Sequence, residues 1–366
     1  MGENRFLHES HFQRVHFARA DAANALTSEI ERLAASRVMV IASISKYEIV
    51  KQLTRNLPVV RHYHDIARHI PLPVAERARS AAATCQADAL VAIGGGSATG
   101  LAKAIALTTG LPIIALPTTY AGSEATAVWG LTEGNRKTTG SNIRVVPQSI
   151  IYDATLTVTL PVPDSIASGF NALAHCIDSM WGPRADPIDR MYAAEGIRAL
   201  SRSIVAVAAD GMDLNAREEA LYGTYLSAVA FSSAGSGLHH KICHVLGGAF
   251  DLPHAQTHAV VLPHVLAYNA PAAPVAERQM AAAFGSESAL IGLEQLRRSV
   301  DAPRALRDYG LSEADIDTVI PDILDHAPSD NPRPVTFGSM QALLNAALNG
   351  DDPHVPSEEE ARHGRL

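Results

Sequence analysis

Cysteine is scarce in this chain of 366 residues. Cys85, Cys176 and Cys243 are too few and too scattered to frame a disulfide scaffold or a thiolate zinc site, so they are expected to stay reduced and mostly buried. Long apolar runs are missing as well. The longest, over 87–93 and 111–116, suit core strands and fall far short of the roughly 20 residues that span a bilayer, which argues against a membrane partner. No apolar stretch follows the charges at the N-terminus, so it does not read as a secretory signal, and a cytoplasmic address is expected. Nor is there a basic stripe. Lys and Arg number 30 against 38 Asp and Glu, a net charge of -8, so neutralising a run of phosphates is not expected and nucleic acid is not a partner. No unit of sequence repeats.

What is present is an ordinary globular composition, 47% hydrophobic and 19% charged, in a chain long enough that two domains are the default. From about residue 25 to 160, β-rich runs at 37–42, 89–93, 112–116 and 149–152 alternate with Ala-rich helical stretches at 74–85 and 98–109. That alternation is the sequence form of a parallel sheet covered by crossover helices, a Rossmann-like α/β nucleotide-binding fold. After Pro161 β-branched runs nearly vanish, and helical spacing takes over through 165–180, 189–207, 216–230 and 290–306. The expected organisation is an α/β dinucleotide-binding domain over 1–160, an all-helical catalytic domain over 161–354 and a frayed polar tail over 355–366. Asp164, just past Pro161 and Pro163, is the expected N-cap of the first helix beyond the boundary.

Three features carry chemistry. Gly94, Gly95, Gly96 and Ser97 directly follow the strand over 89–93 and precede a helix expected to open at Ala98. Glycines there let a ligand approach the backbone, and the helix start favours an anion such as a pyrophosphate, although the spacing is not G-x-G-x-x-G. A tight turn with no ligand is the alternative. Next, the strand over 112–116 runs into Thr118, Thr119, Tyr120 and Ser123, a hydroxyl-rich loop at the same carboxyl edge of the sheet, where open α/β sheets hold ligands. Ordinary turn and cap chemistry would also account for the threonines.

The third feature is a cluster of six histidines, His239, His240, His244, His254, His258 and His264, within 26 residues, with His175 upstream. His240 and His244 are four apart, as are Asn171 and His175, so each pair shares a helix face. Such pairs normally announce a divalent metal. Asn171, however, is a neutral amide where a carboxylate would bring charge, so weak binding or none is expected. For any single histidine, a hydrogen-bonded place between packed helices competes with a functional one.

The segments at 92–106, 115–126, 131–140, 169–178, 238–271 and 331–347 resemble the iron-containing alcohol dehydrogenase family, and within it the maleylacetate reductase branch. The resemblance covers nearly the whole chain and implies the dehydroquinate synthase-like fold of that family. It implies reduction of the carbon–carbon double bond of maleylacetate to 3-oxoadipate, with NADH or NADPH, in the catabolism of aromatic compounds such as resorcinol or hydroxyquinol. In metal-dependent relatives the ligand positions fall on Asn171, His175, His240 and His254; the Asn171 departure implies a branch that works without metal. The histidine near the nicotinamide falls on His244, the pyrophosphate loop on Gly94–Gly95–Gly96–Ser97, and further cofactor-lining positions on Thr118, Thr119 and Lys137. Other departures are Gly100, where many relatives have Asp, and residues 17–20, where a glycine-bearing FGxG is common.

Ser43, Ser45 and Lys46 follow the strand over 37–42 where NAD-selective relatives often carry an acid, so use of both NADH and NADPH is expected. On this reading His244 and His254 serve the enolate or its proton, His175 and His240 shape the pocket, and Asn171 donates a hydrogen bond. Histidinium, Lys241 and Lys137 would offset the substrate's two carboxylates, and relatives of this size imply a homodimer. The alternatives are a metal-dependent alcohol dehydrogenase of the same family, a non-catalytic nucleotide-binding protein, and a metallohydrolase, for which H-x-x-x-H lacks the water-activating Glu.

Overall fold

The computed structural model describes residues 6–134 and 136–353, without the side chains of residues 136 and 137; the tail expected over 355–366 lies outside the described residues. The chain forms two compact units. One holds His11–Pro161 and Gly211–Leu221; the other holds the described residues up to Ser10, then Val162–Asp210, then Tyr222 onward.

The first unit contains β1 (Arg14–Phe17), α1 (Ala22–Arg32), β2 (Val38–Ile41), α2 (Tyr47–Thr54), β3 (Val59–Tyr63), α3 (Leu72–Thr84), β4 (Ala89–Gly94) and α4 (Gly96–Thr109). It continues with β5 (Ile113–Pro117), β6 (Val128–Glu133), β7 (Arg136–Ser141) and β8 (Ser149–Tyr152). Six strands make a parallel sheet in the order β1-β8-β5-β4-β2-β3, and β6 and β7 form a separate antiparallel hairpin. Every residue of β2, β4, β5 and β8 is buried, as a sheet covered on both faces requires, which is why these four read as unbroken apolar runs. The strand order reverses between β2 and β4: from β2 the chain crosses outward to β3, and from β4 it crosses the other way to β5. The carboxyl ends of β2 and β4 therefore flank the switch point where doubly wound sheets hold ligands.

The sheet edges, β1 and β3, were not foreseen. β1 is secured by Glu29 of α1, 1% exposed, whose carboxylate accepts from Arg14 Nε at 2.9 Å, His16 Nε2 at 2.8 Å, Arg32 Nε at 2.7 Å and Ser149 Oγ at 2.5 Å. Burial pushes the Glu29 carboxyl up, but the bonds from Ser149, Arg32, Arg14 and His16 outweigh it and hold the pKa at about 2. The helix after β4 opens at Gly96 instead of Ala98, because an extended Gly95 (φ −87°, ψ −163°) is its N-cap; Ser97 thus lies in the first turn.

The second unit contains α5 (Val162–Ser179), α6 (Pro187–Ala209), most of α7 (Leu214–Ala234), α8 (Leu238–Phe250), α9 (His254–Asn269), α10 (Pro274–Phe284), α11 (Ala289–Ser299), α12 (Glu313–His326) and α13 (Phe337–Asn349). Every residue of α9 from Thr257 to Asn269 is buried, and its side chains enter both apolar cores of this unit, one around Phe170, Leu173 and Leu262, the other around Leu246, Val261 and Leu344. Two expectations need correction. Asp164 is not an N-cap: α5 already starts at Val162, with Pro163 tolerated in its first turn, and Asp164 lies within that turn. The helix expected over 290–306 stops at Ser299, because Asp301 takes φ +49° and Pro303 follows.

The first residues of α7 group with the α/β unit through Arg217, 1% exposed, which donates to Gly211 O and Thr157 O at 2.6 Å, Leu160 O at 3.1 Å and Tyr120 Oη at 3.2 Å. The N-terminal segment joins the helical unit through His8, whose Nδ1 lies 2.8 Å from Asp186, the N-cap of α6. Among the described residues no helix is long and apolar enough to cross a membrane, and none of the three cysteines is in a disulfide.

Ala20 occupies a left-handed conformation (φ +57°) in the stretch where the family resemblance implies a glycine-bearing FGxG. An L side chain there costs roughly 1–2 kcal/mol, part of which glycine returns through its greater unfolded-state entropy. Ala20→Gly is expected to stabilise the protein by up to about 1 kcal/mol, raising the melting temperature of the α/β unit by about 2 °C in calorimetry.

Candidate active site

Two sets of residues are the candidates for the site, one in each unit. In the α/β unit, β4 ends at Gly94, whose carbonyl accepts from Thr118 N at 2.9 Å, so the glycine turn and the loop after β5 are bonded together at the carboxyl edge. Their approach depends on glycine. A Cβ on Gly95 would stand 2.9 Å from Thr119 Cγ2 and 3.1 Å from Thr119 Oγ1. No side chain caps α4; Ala98 N donates to Gly95 O at 3.1 Å, which leaves the N–H groups of Gly96 and Ser97 to a ligand or to water. Ser123 Oγ is buried in the same loop without a hydrogen-bond partner among the described residues. A glycine cradle, an uncapped helix start and an orphaned hydroxyl together fit a pyrophosphate.

Tyr120 stands apart from the other loop residues: it is 1% exposed and its hydroxyl accepts from Arg217, so it is a buried post of the loop. Gly100 packs against Ile70, whose Cγ1 would lie 3.2 Å from an added Cβ; the Asp that the resemblance implies at this position would need Ile70 to move. Ser43 follows β2, its Oγ 2.5 Å from Ser45 Oγ, with Lys46 next in the same turn. The side chain of Lys137, on β7, lies outside the described residues.

In the helical unit, α5 carries Asn171 and His175 one turn apart, α8 carries His239, His240 and His244, and α9 begins with His254 and carries His258. The rings gather as their spacing predicts. His175 and His240 stack at 4.8 Å and 9°, with the Phe231 ring 4.7 Å from the first and 4.3 Å from the second. His244 lies 6.0 Å from His240 and 6.4 Å from His254, and His254 lies 4.4 Å from His258. Burial is graded across this group: Asn171, His175, His240 and His258 are buried, His244 is half-buried and His254 is exposed. His239 turns away from the stack and bonds His258, its Nε2 2.8 Å from His258 Nδ1 and 3.6 Å from Cys243 Sγ. His264 is buried further along α9.

The expected histidinium is corrected by burial. Desolvation holds His175 at about 4 against the pull of Asp178, takes His239 to about 3, and keeps His258 well below its ordinary value with help from the neighbouring imidazoles. These three rings bring no positive charge at neutral pH, whereas the half-buried Lys241 on α8 can. Sequence reasoning also missed Asp178, whose carboxylate lies 2.7 Å from His240 Nδ1; it sits three residues after His175, a spacing that places it one turn further along the same helix.

Among the described residues, two groups of three donors converge within 4.8 Å: His239 with Cys243 and His258, and His8 with Asp186 and Asp189. Neither is the set of Asn171, His175, His240 and His254. The residue types of the first group suit a borderline ion, against the expectation of no metal. Its geometry suits a proton: nitrogens sharing a tetrahedral zinc stand about 3.3 Å apart, whereas His239 and His258 meet at hydrogen-bond distance. In the second group Asp186 is committed to capping α6.

Two family models match the chain, "Iron-containing alcohol dehydrogenase" over residues 13–154 and "Fe-containing alcohol dehydrogenase family, C-terminal" over 165–348. A maleylacetate reductase of Pseudomonas knackmussii is 43% identical over 352 residues, 95% of this chain and 99% of that one. Among solved structures, an iron-containing alcohol dehydrogenase from Corynebacterium glutamicum superposes with TM-score 0.93 at 54% identity, covering 95% of this chain and 98% of that one. A maleylacetate reductase from Agrobacterium tumefaciens does so with TM-score 0.89 at 38% identity, covering 95% and 99%.

Two measurements test the site. Gly95→Ala should weaken NADH binding at least tenfold in a fluorescence titration, about 1.4 kcal/mol, because its methyl displaces Thr119; unchanged affinity would remove the turn from the cofactor site. An imidazole neutral in the fold binds its proton in the unfolded chain, so stability is intact above pH 6.5 and falls as pH drops towards 4 for His175 and 3 for His239. At pH 5 each costs about 2 kcal/mol, and the melting temperature should fall steeply between pH 7 and 5; a flat profile would contradict their neutral state.

Proposed function

This chain belongs to the iron-containing alcohol dehydrogenase family, and from that membership we propose that it reduces the carbon–carbon double bond of maleylacetate to 3-oxoadipate, using NADH or NADPH, in the breakdown of aromatic compounds. The observation that carries the reading is the gathering of imidazoles from α5, α8 and α9, with His175 held neutral by burial and the amide of Asn171 one turn away from it. Likeness to maleylacetate reductases along 95% of the chain supports the same substrate.

The bound dinucleotide supplies a hydride to the alkene carbon remote from the ketone. Charge then gathers on the ketone oxygen as an enolate, which needs a hydrogen-bond donor or a proton. Half-buried His244 and exposed His254 are the cluster imidazoles with solvent access, so they serve that oxygen. His175 and His240, buried and stacked, wall the pocket. The Asn171 amide donates a hydrogen bond where a carboxylate would repel the dicarboxylate substrate, and Lys241 supplies a compensating cation. At the carboxyl end of β2, Ser43, Ser45 and Lys46 offer no acid to repel a 2′-phosphate, which supports the use of NADPH beside NADH. The β1 edge, with Phe12 and Phe17 exposed beside it, supports a homodimer.

A resident metal is not part of the proposal. Asn171 is uncharged, and among the described residues His175, His240 and His254 are not one of the donor groups of three that converge within 4.8 Å. The second reading, a metal-dependent alcohol dehydrogenase, is favoured by the family's name and by the His239–Cys243–His258 donor set.

Following NADH absorbance with maleylacetate, with and without EDTA, separates the two. Turnover indifferent to EDTA is expected; activity abolished by the chelator and restored by iron or zinc would replace the proposal with its rival. His244→Ala or His254→Ala should lower kcat by about a hundredfold, and unchanged turnover in both would remove their assignment.

A further inference from the structure

We infer that Asp178 is a positioning residue, fixing the tautomer and orientation of His240 while capping the helix that carries it. For its kinetic readout the inference rests on the reductase reading; its spectroscopic readout does not.

Asp178 is fully buried on α5, three residues after His175. Its Oδ2 lies 2.7 Å from His240 Nδ1 and 3.2 Å from the His240 backbone N. Burial pushes the Asp178 carboxyl up, against the backbone N–H groups and imidazoles around it, but Oδ2 is the oxygen that accepts the His240 backbone N–H, and the same oxygen faces Nδ1 as an acceptor, so both nitrogens donate to it. The ring proton is thereby placed on Nδ1, leaving Nε2 as the acceptor of the imidazole. Stacking on His175 at 9° and packing on Phe231 set the plane of the ring, but neither contact tells one ring nitrogen from the other. Asp178 does.

The start of α8 is built around this carboxylate. Gly237 is the N-cap and brings no side-chain acceptor, and His240, at the third helical position, donates its backbone N–H to Asp178. Room for the carboxylate exists only because residue 237 lacks a Cβ, which would stand 2.6 Å from Oδ1 and 2.7 Å from Cγ. A cap alone could come from any side-chain oxygen on α8 itself. Bringing a buried carboxyl from α5, and emptying position 237 to receive it, exceeds what capping requires. The surplus is the bond to Nδ1, of the kind by which outer carboxylates orient functional histidines.

The test uses the full-length protein labelled with 15N-histidine, with His240 assigned by its loss in His240→Gln. The wild type should show His240 as the Nδ1–H tautomer at pH 8; an Nε2–H signature overturns the inference. Asp178→Asn keeps the shape and one acceptor oxygen, yet its NH2 group can face Nδ1. It should stay folded, bind NADH as tightly as the wild type, change the His240 signature and lower kcat for maleylacetate at least tenfold. Gly237→Ala, which retains the carboxylate but crowds it, should reproduce the signature change and the kcat loss. Asp178→Asn with wild-type kcat overturns the positioning role even if its melting temperature falls, since a cap alone would produce only that fall. Should the wild type fail to reduce maleylacetate, the reductase reading fails separately, and the tautomer of His240 still decides this inference.

Discussion

Imidazoles taken out of water cannot keep their charge, and the helical unit is arranged around that constraint. Each buried ring has to complete its hydrogen bonding as a neutral group, with one nitrogen donating and the other accepting. His239 and His258 do so by bonding each other, and His240 finds its partner in Asp178. At the margin the rings meet water, where His244 is half-buried and His254 exposed. The cluster therefore has a dry interior with fixed donors and acceptors and a wetter rim able to exchange protons, the division of labour that acid–base chemistry on an enolate needs.

The α/β unit handles buried cations differently, by surrounding them with backbone oxygens. Lys103, 1% exposed on α4, donates to Thr126 O at 2.7 Å, Val128 O at 2.8 Å and Thr126 Oγ1 at 3.0 Å, which occupies all three of its donors. Burial draws its pKa down to about 7, against the pull of Glu124. Arg217 does the same for Tyr120 and the segment around residues 157–160. The hydroxyl-rich loop after β5 is thus pinned near both of its ends by charged side chains that never reach solvent. Loops that bind ligands need such external stiffening, since they lack the ladders that hold strands in place.

Legibility in the sequence followed burial symmetry. β2, β4, β5 and β8 are buried on both faces and announce themselves as continuous apolar runs. β1 (RVHF) and β3 (VVRHY) lie at the edges, where half-exposed residues dilute the pattern, and the β6–β7 hairpin is polar along much of its length. The histidine cluster was conspicuous through sheer density. Its inner order was not, because His239 and His240 are adjacent in sequence and about 100° apart around α8, so one joins the stack while the other turns back to His258. Asp178 and Arg217 escaped notice for a common reason: each satisfies groups far away in the chain, and no local spacing encodes such a bond.

The link between α8 and α9 is only three residues, Asp251 to Pro253. Asp251 ends α8 in a left-handed conformation (φ +52°, ψ +33°), Leu252 is buried, and His254 opens the next helix at once. Such a link behaves like a gauge block. One residue more or fewer would rotate the phase of α9 by about 100° and slide it about 1.5 Å, carrying His254 off the ring of partners that surrounds it. Mutation is free to redecorate this link but not to resize it, so the ten-residue interval from His244 to His254 is a length that descendants of this gene inherit intact or lose together with the pocket.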